Sequence, residues 1–448
     1  MQRKLFDTDG IRGVANQYPI DPETMVKIGK AAAHVFKNSK KRHIILIGKD
    51  TRISGYVIES ALTSGICSLG VDVLLVGPMP TPAIAHLTKS FAADAGIVIS
   101  ASHNPAEDNG IKFFSSDGFK LSDNKELEIE KYVFSKKVNT EQIKGELIGK
   151  AFRINDARGR YIEFAKNSIK NNSLSGLKVI VDCANGATYH IAAKIFKELG
   201  AEVTVLNNKP NGLNINLNCG ALHPEVVREA VLKEKADIGI SLDGDGDRVI
   251  MADEKGNIID GDSIMAICGL HLLKKNKLKD NTIVATGYSN LALDELMKKN
   301  GGKVIRAQNG DRYVIDEMRK NSYVLGGEQS GHIIFMNQTT TGDGIIAALQ
   351  VLNIMKKTGK PLSELAKCLK KYPQVLVNIN VKKKILFEEM EEVNEEIKKA
   401  EKELKGRLLI RYSGTQNIAR IMVEGKDKNK INKLANKIAE KIKKEICV

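Results

Sequence analysis

Between Ser241 and Val249 the chain reads SLDGDGDRV, so the carboxylates of Asp243, Asp245 and Asp247 alternate with glycine inside one short segment. Three anions at this spacing repel one another unless a hard divalent cation neutralises them. Glycine at 244 and 246 lets the backbone bend tightly enough for all three side chains to face inward. The flanking helical pattern of an EF-hand is absent, so the expectation is a Mg²⁺-type site rather than a calcium loop. Arg248 follows directly and can hold a phosphate beside the metal.

A second segment, GIVISASHNPAEDNGIKFF (96–114), breaks from an apolar run into small hydroxyls, an imidazole and an amide. An ordinary polar turn would look similar; the chemical alternative is a strand end that presents Ser102 as a nucleophile. Lys112 lies ten residues further on, and Arg12 sits in DTDGIRG. Lone basic residues are usually solvated, but each of these follows a glycine-bearing turn.

Two further clusters favour a phosphorylated, hydroxylated ligand. In GGEQSGH (326–332), Glu328, Ser330 and His332 fall at i, i+2 and i+4, and an extended loop would point them to one side. In RYSGTQNIAR (411–420), Arg411 and Arg420 flank Ser413, Gly414 and Thr415. Guanidinium forks, hydroxyls and exposed N–H groups suit a phosphate dianion.

These motifs need strands to carry them. Short β-branched runs at 43–50, 71–77 and 95–100 alternate with helical patterns. The rhythm restarts at 177–187 and again at 282–287. Continuous apolar strands separated by helices predict mostly parallel sheets covered by helices. An internal echo supports repetition: Ala93-Asp94-Ala95-Gly96-Ile97 and Ala236-Asp237-Ile238-Gly239-Ile240 both lead into a strand that ends in a polar cluster. Such strand ends are where open α/β sheets bind ligands. After Pro373 an alternating strand, a charged helix, another strand and a lysine-rich helix predict a small α+β domain.

The 448 residues suggest several domains. No apolar run is long enough to span a membrane, and Asp7 and Asp9 interrupt the N-terminus before a signal-peptide core could form; the expectation is a cytoplasmic chain. Six scattered cysteines without a Cys-x-x-Cys pair predict reduced thiols, mostly buried. The net charge of +15 lacks the aromatic interleaving of a nucleic-acid module and is read as a lysine-rich solvated surface. Neither nucleic acid nor membrane is expected as a partner.

In combination and in this order, SASHNP, DGDGDR, GGEQSGH and RYSGT resemble the α-D-phosphohexomutase family, and the resemblance covers nearly the whole chain. DCANGATYHIA, NGLNIN and TTTGDG add to it. It implies three similar mixed-sheet α/β domains around a central cleft plus a C-terminal α+β domain, with bounds expected at 1–153, 154–256, 257–370 and 371–448. It also implies that Ser102 carries a phosphoryl group and passes it to a phosphosugar through a 1,6-bisphosphate. Asp243, Asp245 and Asp247 would then bind Mg²⁺ together with phospho-Ser102. Lys112 would accept a proton beside Arg12, and His103 and His332 would line the pocket. Glu328 and Ser330 would take sugar hydroxyls, while Arg411, Ser413, Gly414, Thr415 and Arg420 would hold the second phosphate. An amino-sugar phosphate is the expected substrate, with glucose or mannose phosphate as the alternative. Glucosamine or glucose 1,6-bisphosphate is the expected activator, and the molecule a monomer or homodimer. A metal-dependent phosphohydrolase would use several of the same parts. Asp7, Tyr412, Gln416 and Asn417 depart from the family pattern; Asn417 lacks the fixed φ of the usual proline.

Overall fold

The computed structural model describes residues 4–7, 9–37, 42–141, 143–404, 406–412 and 417–446. The first sheet contains β1 (Ile11–Val14), β2 (Ile44–Lys49), β3 (Asp72–Pro78), β4 (Ala95–Ile99), β5 (Asp108–Ser115) and β6 (Ala151–Arg153), in the order β1-β5-β4-β2-β3-β6. The second contains β7 (Lys178–Asp182), β8 (Glu202–Leu206), β9 (Ile238–Leu242), β10 (Val249–Asp253) and β11 (Ile258–Ile259), in the order β11-β10-β9-β7-β8. The third contains β12 (Thr282–Thr286), β13 (Lys303–Ala307), β14 (Leu325–Gly327) and β15 (Ile333–Phe335), in the order β13-β12-β14-β15. Three antiparallel strands, β16 (Gln374–Asn380), β17 (Gly406–Tyr412) and β18 (Ile418–Gly425), form the last sheet, in the order β16-β18-β17.

One topology recurs in the first three sheets: three parallel strands followed by an antiparallel neighbour. It is β3-β2-β4-β5 in the first, β8-β7-β9-β10 in the second and β13-β12-β14-β15 in the third. The sheets are therefore mixed. Each antiparallel partner follows a segment shorter than the dozen or so residues that a parallel crossover needs, so the chain can only turn back on itself. Those three turns, 100–107, 243–248 and 328–332, carry the sequence motifs.

The internal echo has a mechanical cause. Asp94 accepts from the Ile44 N–H at 2.9 Å, and Asp237 accepts from the Lys178 N–H at 2.7 Å. In each repeat an aspartate just before the third parallel strand pins the start of the first.

One continuous apolar core runs through the first three sheets, from Leu46 through Val181 and Ile240 to Leu349, which fixes their turns relative to one another. The last sheet has a core of its own, built from residues such as Ile379, Ile421 and Ile438. It joins the third sheet largely through polar contacts: Arg407 donates to Ser289 O at 2.7 Å, and Glu424 accepts from the Leu291 N–H at 2.9 Å. Among the described residues five cysteines are free thiols, three of them buried; Cys447 lies outside the described residues. No helix among the described residues is long and apolar enough to cross a membrane.

Candidate active site

The first two turns meet face to face. Ser102 is buried, and its Oγ donates to Asp243 Oδ2 at 2.7 Å, joining the first sheet to the second. Gly244 permits this approach, since a Cβ there would lie 2.7 Å from both Ser102 O and Asn216 Nδ2. Gly246 holds a left-handed φ of 71° that favours glycine. Ser102 itself is left-handed, with φ of 53°, which is uncommon for a residue with a side chain.

Ligand oxygens of Asp243, Asp245 and Asp247 lie within 4.8 Å of one another, and all three residues are buried. Asp245 Oδ2 accepts from Thr81 Oγ1 at 2.6 Å, and Asp243 Oδ1 accepts from the Arg248 N–H at 3.1 Å. Asp245 Oδ1 and Asp247 Oδ1 are buried without a hydrogen-bond partner. Orphaned carboxylate oxygens converging beside a serine hydroxyl are what a hard, oxygen-loving cation requires, so the residues present fit a divalent metal.

The carboxylates titrate apart. Burial pushes Asp243 well above the usual range, and Asp247 and Asp245 push it further. Burial acts the same way on Asp247, but Lys112, His332 and Arg248 outweigh it and hold that group well below the usual range. Protons and a divalent cation therefore compete for Asp243.

Arg12 lies on β1 and Lys112 on β5. In the register of that pair Arg12 faces Gly110, two residues before Lys112, so both side chains leave the same face. Lys112 Nζ stands 3.0 Å from Asp9 Oδ2, 3.4 Å from Asp245 Oδ2 and 3.6 Å from Asp247 Oδ2. Burial alone would lower its pKa; the three carboxylates more than offset this and raise it. Lys112 is thus firmly an ammonium in this arrangement. Arg12 pairs with Asp9 at 2.5 Å.

His103 approaches Ser102 Oγ through Nδ1 at 3.4 Å. Burial, with Arg248 and Arg12 close by, lowers its pKa to about 4, so the ring is neutral at physiological pH. His332 is buried between Asp247 and Asp311, at 3.6 Å and 3.5 Å. Its pKa rises because those carboxylates outweigh burial; in the neutral form Nε2 accepts from the Gly342 N–H at 3.1 Å. Arg248 Nε lies 3.9 Å from Asp247 Oδ1 and makes no hydrogen bond.

The third turn corrects one expectation. The segment 328–332 is a tight hairpin rather than the extended loop expected, with Glu328 opposite His332 beyond the Gly327–Ile333 pair. Gly331 N donates to Glu328 O at 3.1 Å, and Glu328 N donates to His332 O at 3.0 Å. His332 reaches Asp247 and Asp311, while Glu328 and Ser330 line a cavity of about 340 Å³, with Glu328 still near enough to act on His332 and Arg248. Tyr288, Gln374 and Arg420 line the same cavity, bringing together the third and fourth sheets.

Arg411 donates through Nε at 2.8 Å to the hydroxyl of Tyr288, one of the residues lining that cavity. Arg420 Nε is buried without a partner. Ser413, Gly414, Thr415 and Gln416 lie outside the described residues. Tyr412 alternates to the other face of its strand, stacks on Phe387 with ring centroids 4.4 Å apart and donates to Ile385 O at 2.7 Å. Its departure from the family pattern therefore leaves the arginine face untouched. Asp7 donates through its N–H to Gly10 O at 2.8 Å, closing the turn before β1.

Sequence reasoning passed over several contributors. Thr81, at the start of helix Thr81–Ser90, reaches Asp245. Lys120 joins Asp9 to Asp311 in a buried alternation of charge between the first and third sheets. Arg52 and Asn216 grip the Ser102 turn from behind. Asp9 and Asn216 stood inside motifs already noted; Thr81, Lys120 and Arg52 sit in segments that read as ordinary turns or strands.

Three repeats that each deliver a hairpin turn to one shared region, closed by a fourth antiparallel domain, define a four-domain phosphosugar mutase architecture. Family models agree segment by segment: phosphoglucomutase/phosphomannomutase alpha/beta/alpha domain I matches residues 3–140, domain II 159–256, domain III 260–372 and the C-terminal domain 376–441. The chain belongs to the phosphoglucomutase/phosphomannomutase family. A phosphoglucosamine mutase of Geobacter sp. (strain M21) is 56% identical over 99% of this chain and 98% of the relative. The phosphoglucosamine mutase of Citrifermentans bemidjiense is 57% identical, covering 98% of this chain and 97% of its own. Among solved structures, a phosphoglucomutase/phosphomannomutase family protein from Burkholderia thailandensis superposes with a TM-score of 0.81 at 24% identity, covering 98% of this chain and 97% of the other. The Aspergillus fumigatus N-acetylphosphoglucosamine mutase, in complex with GlcNAc-6P and magnesium, gives 0.68 at 18% identity over 99% of this chain and 96% of its own. At these identities the structures speak for the fold.

Proposed function

We propose that this protein is an isomerase that interconverts glucosamine 6-phosphate and glucosamine 1-phosphate, with Ser102 as the phosphoryl carrier. The observation that carries the reading is the Ser102 hydroxyl, buried 2.7 Å from the first of three clustered carboxylates. The amino-sugar assignment follows the full-length relatives named phosphoglucosamine mutase.

In the forward half, a sugar hydroxyl oxygen bonds to the phosphorus carried by Ser102 as the P–Oγ bond breaks, giving a 1,6-bisphosphate and free serine. After the bisphosphate reverses in the cleft, Ser102 Oγ takes its other phosphoryl group. Such transfer depends mainly on alignment and charge neutralisation. Asp243, Asp245 and Asp247, with the phosphoserine, would hold Mg²⁺, which supplies charge neutralisation at the transferring group. Arg12, Arg248 and the ammonium of Lys112 face the same anion; with Asp245 and Asp247 engaged by the metal, Lys112 can first give up a proton to solvent and then, as the neutral amine, accept that of the sugar hydroxyl. Neutral His103 and the inward-facing His332 line this end of the pocket.

Glu328 and Ser330 receive sugar hydroxyls, and Arg411 and Arg420, with Ser413, Gly414 and Thr415, hold the phosphate that is not reacting. Both sugar orientations must place a phosphate there. A sugar 1,6-bisphosphate would serve as activator by phosphorylating Ser102. The pairing of β6 with β3 supports a first domain of 1–153, followed by 154–256, 257–370 and 371–448. We place the enzyme in the cytoplasm.

The test is peptide mass mapping followed by turnover. A gain of about 80 Da on the Ser102 peptide, lost to glucosamine 6-phosphate and restored by bisphosphate, is the expected result. Full activity in Ser102→Ala overturns the carrier assignment; glucose or mannose phosphate turning over far faster overturns the substrate assignment.

A further inference from the structure

Arg52 follows β2 and is fully buried, yet it touches none of the carboxylates of the metal cluster. All five of its N–H groups are used. Nε donates to Asp50 Oδ2 at 2.9 Å, one terminal nitrogen to the carbonyls of Pro105 and Asp108, and the other to those of Ser102 at 3.1 Å and Asn104 at 2.8 Å. Asn216, from the second domain, spends both amide hydrogens on two of the same carbonyls, Ser102 O at 2.9 Å and Asn104 O at 3.0 Å. From the near side Asp50 accepts from Ser100 Oγ at 2.6 Å, and that oxygen accepts from the Ser102 N–H at 2.9 Å.

We infer that Arg52 and Asn216 are positioning residues that clamp the Ser102 turn from two domains and set the direction in which the serine oxygen points. The inference rests on Ser102 being the phosphoryl carrier. Each of the two shared carbonyls accepts two donors, so the peptide groups that follow the nucleophile are fixed from behind, while Ser100 Oγ holds the peptide N–H that precedes it. The clamp offsets the cost of a left-handed backbone at a residue with a side chain, here Ser102 with φ of 53°. Released, the turn relaxes toward ordinary φ and swings Oγ away from Asp243. A lysine at 52 keeps the charge but not the planar fork that spans four carbonyls. Because Asn216 belongs to the second domain, the turn reaches its working shape only when the first two domains are docked.

Wild type, Arg52→Lys and Asn216→Gly would each be phosphorylated with glucose 1,6-bisphosphate, weighed as intact protein, and mixed with saturating glucosamine 6-phosphate in a rapid-quench instrument. Glycine at 216 keeps the left-handed φ of 59° and removes only the amide. Both variants are expected to reach the wild-type extent of labelling but transfer the phosphoryl group more slowly, about 100-fold for Arg52→Lys and about tenfold for Asn216→Gly, with KM within about threefold. A purely structural role predicts the reverse, a smaller labelled fraction that transfers at the wild-type rate, and that result overturns the inference. If Arg52→Lys does not fold, Asn216→Gly alone decides: an unchanged rate constant rejects the clamp. Wild type that neither labels at Ser102 nor transfers rejects the carrier assignment itself, a separate failure.

Discussion

Arg411 and Arg420 stand directly opposite one another across the β17–β18 ladder, two guanidinium groups on the same face of the last sheet. Like charges in this relation are destabilising, and Arg420 Nε has no hydrogen-bond partner. A bound dianion resolves both problems. Arg420→Met is therefore expected to leave the ligand-free protein as stable as wild type or slightly more so, while abolishing the stabilisation that inorganic phosphate gives. Thermal melting with and without phosphate reads both effects. A variant still stabilised by phosphate as strongly as wild type would put the anchor elsewhere.

Burial and its neighbours raise the Asp243 carboxyl well above the usual range, so protons and magnesium should compete for it: affinity is expected to rise with pH, and calorimetric titrations that show no pH dependence would reject this. Asp245→Asn removes one of the three charges and is expected to weaken magnesium binding at least about tenfold. Unchanged affinity in that variant would move the metal away from the triad.

Lys120 holds Asp9 and Asp311 together where the first and third domains meet. Lys120→Met removes the cation between two carboxylates but leaves Asp9 to Arg12 and Lys112 and Asp311 to His332, so the expected loss lies below the roughly 3–5 kcal/mol of a buried pair broken outright. Adding Asp311→Leu should restore part of the melting temperature. A double variant less stable than Lys120→Met would show that Asp311 is held chiefly by other partners, His332 among them.

Asp343 caps helix Gly344–Thr358, and its two carboxylate oxygens share the single O–H donor of Tyr161, at 2.9 Å and 3.0 Å. Burial pushes its carboxyl up to about 6, against the opposing pull of the Ile346 N–H and of Tyr161. Between the unfolded value near 4 and that folded value the native state holds the proton and the unfolded chain does not. Stability from this group therefore rises as pH falls from about 7 toward 4. Asp343→Asn keeps the cap and removes the titration, so its melting temperature should climb less than that of wild type between pH 7.5 and 5.5. Identical slopes would reject the assignment.

The sequence alone determined the strand ends that carry chemistry, because a polar cluster after a buried apolar run needs no partner to be recognised. SASHNP, DGDGDR and GGEQSGH are each local, and each falls at the matching turn of a repeated sheet. The Asp94 and Asp237 echo was legible as a pattern, and its meaning is a hydrogen bond between neighbouring strands of the same repeat. Tertiary structure decided what local patterns cannot carry. Ser102 and Asp243 are 141 positions apart and meet because the first two domains share a core and Gly244 lets their backbones close. Backbone hydrogen bonds folded the apparently extended segment 328–332 into a hairpin, and contacts with Asp247 and Asp311 of other segments set where His332 reaches. Arg52 left no signal, since a buried arginine is defined by the carbonyls it gathers, and those lie some fifty residues further along the chain.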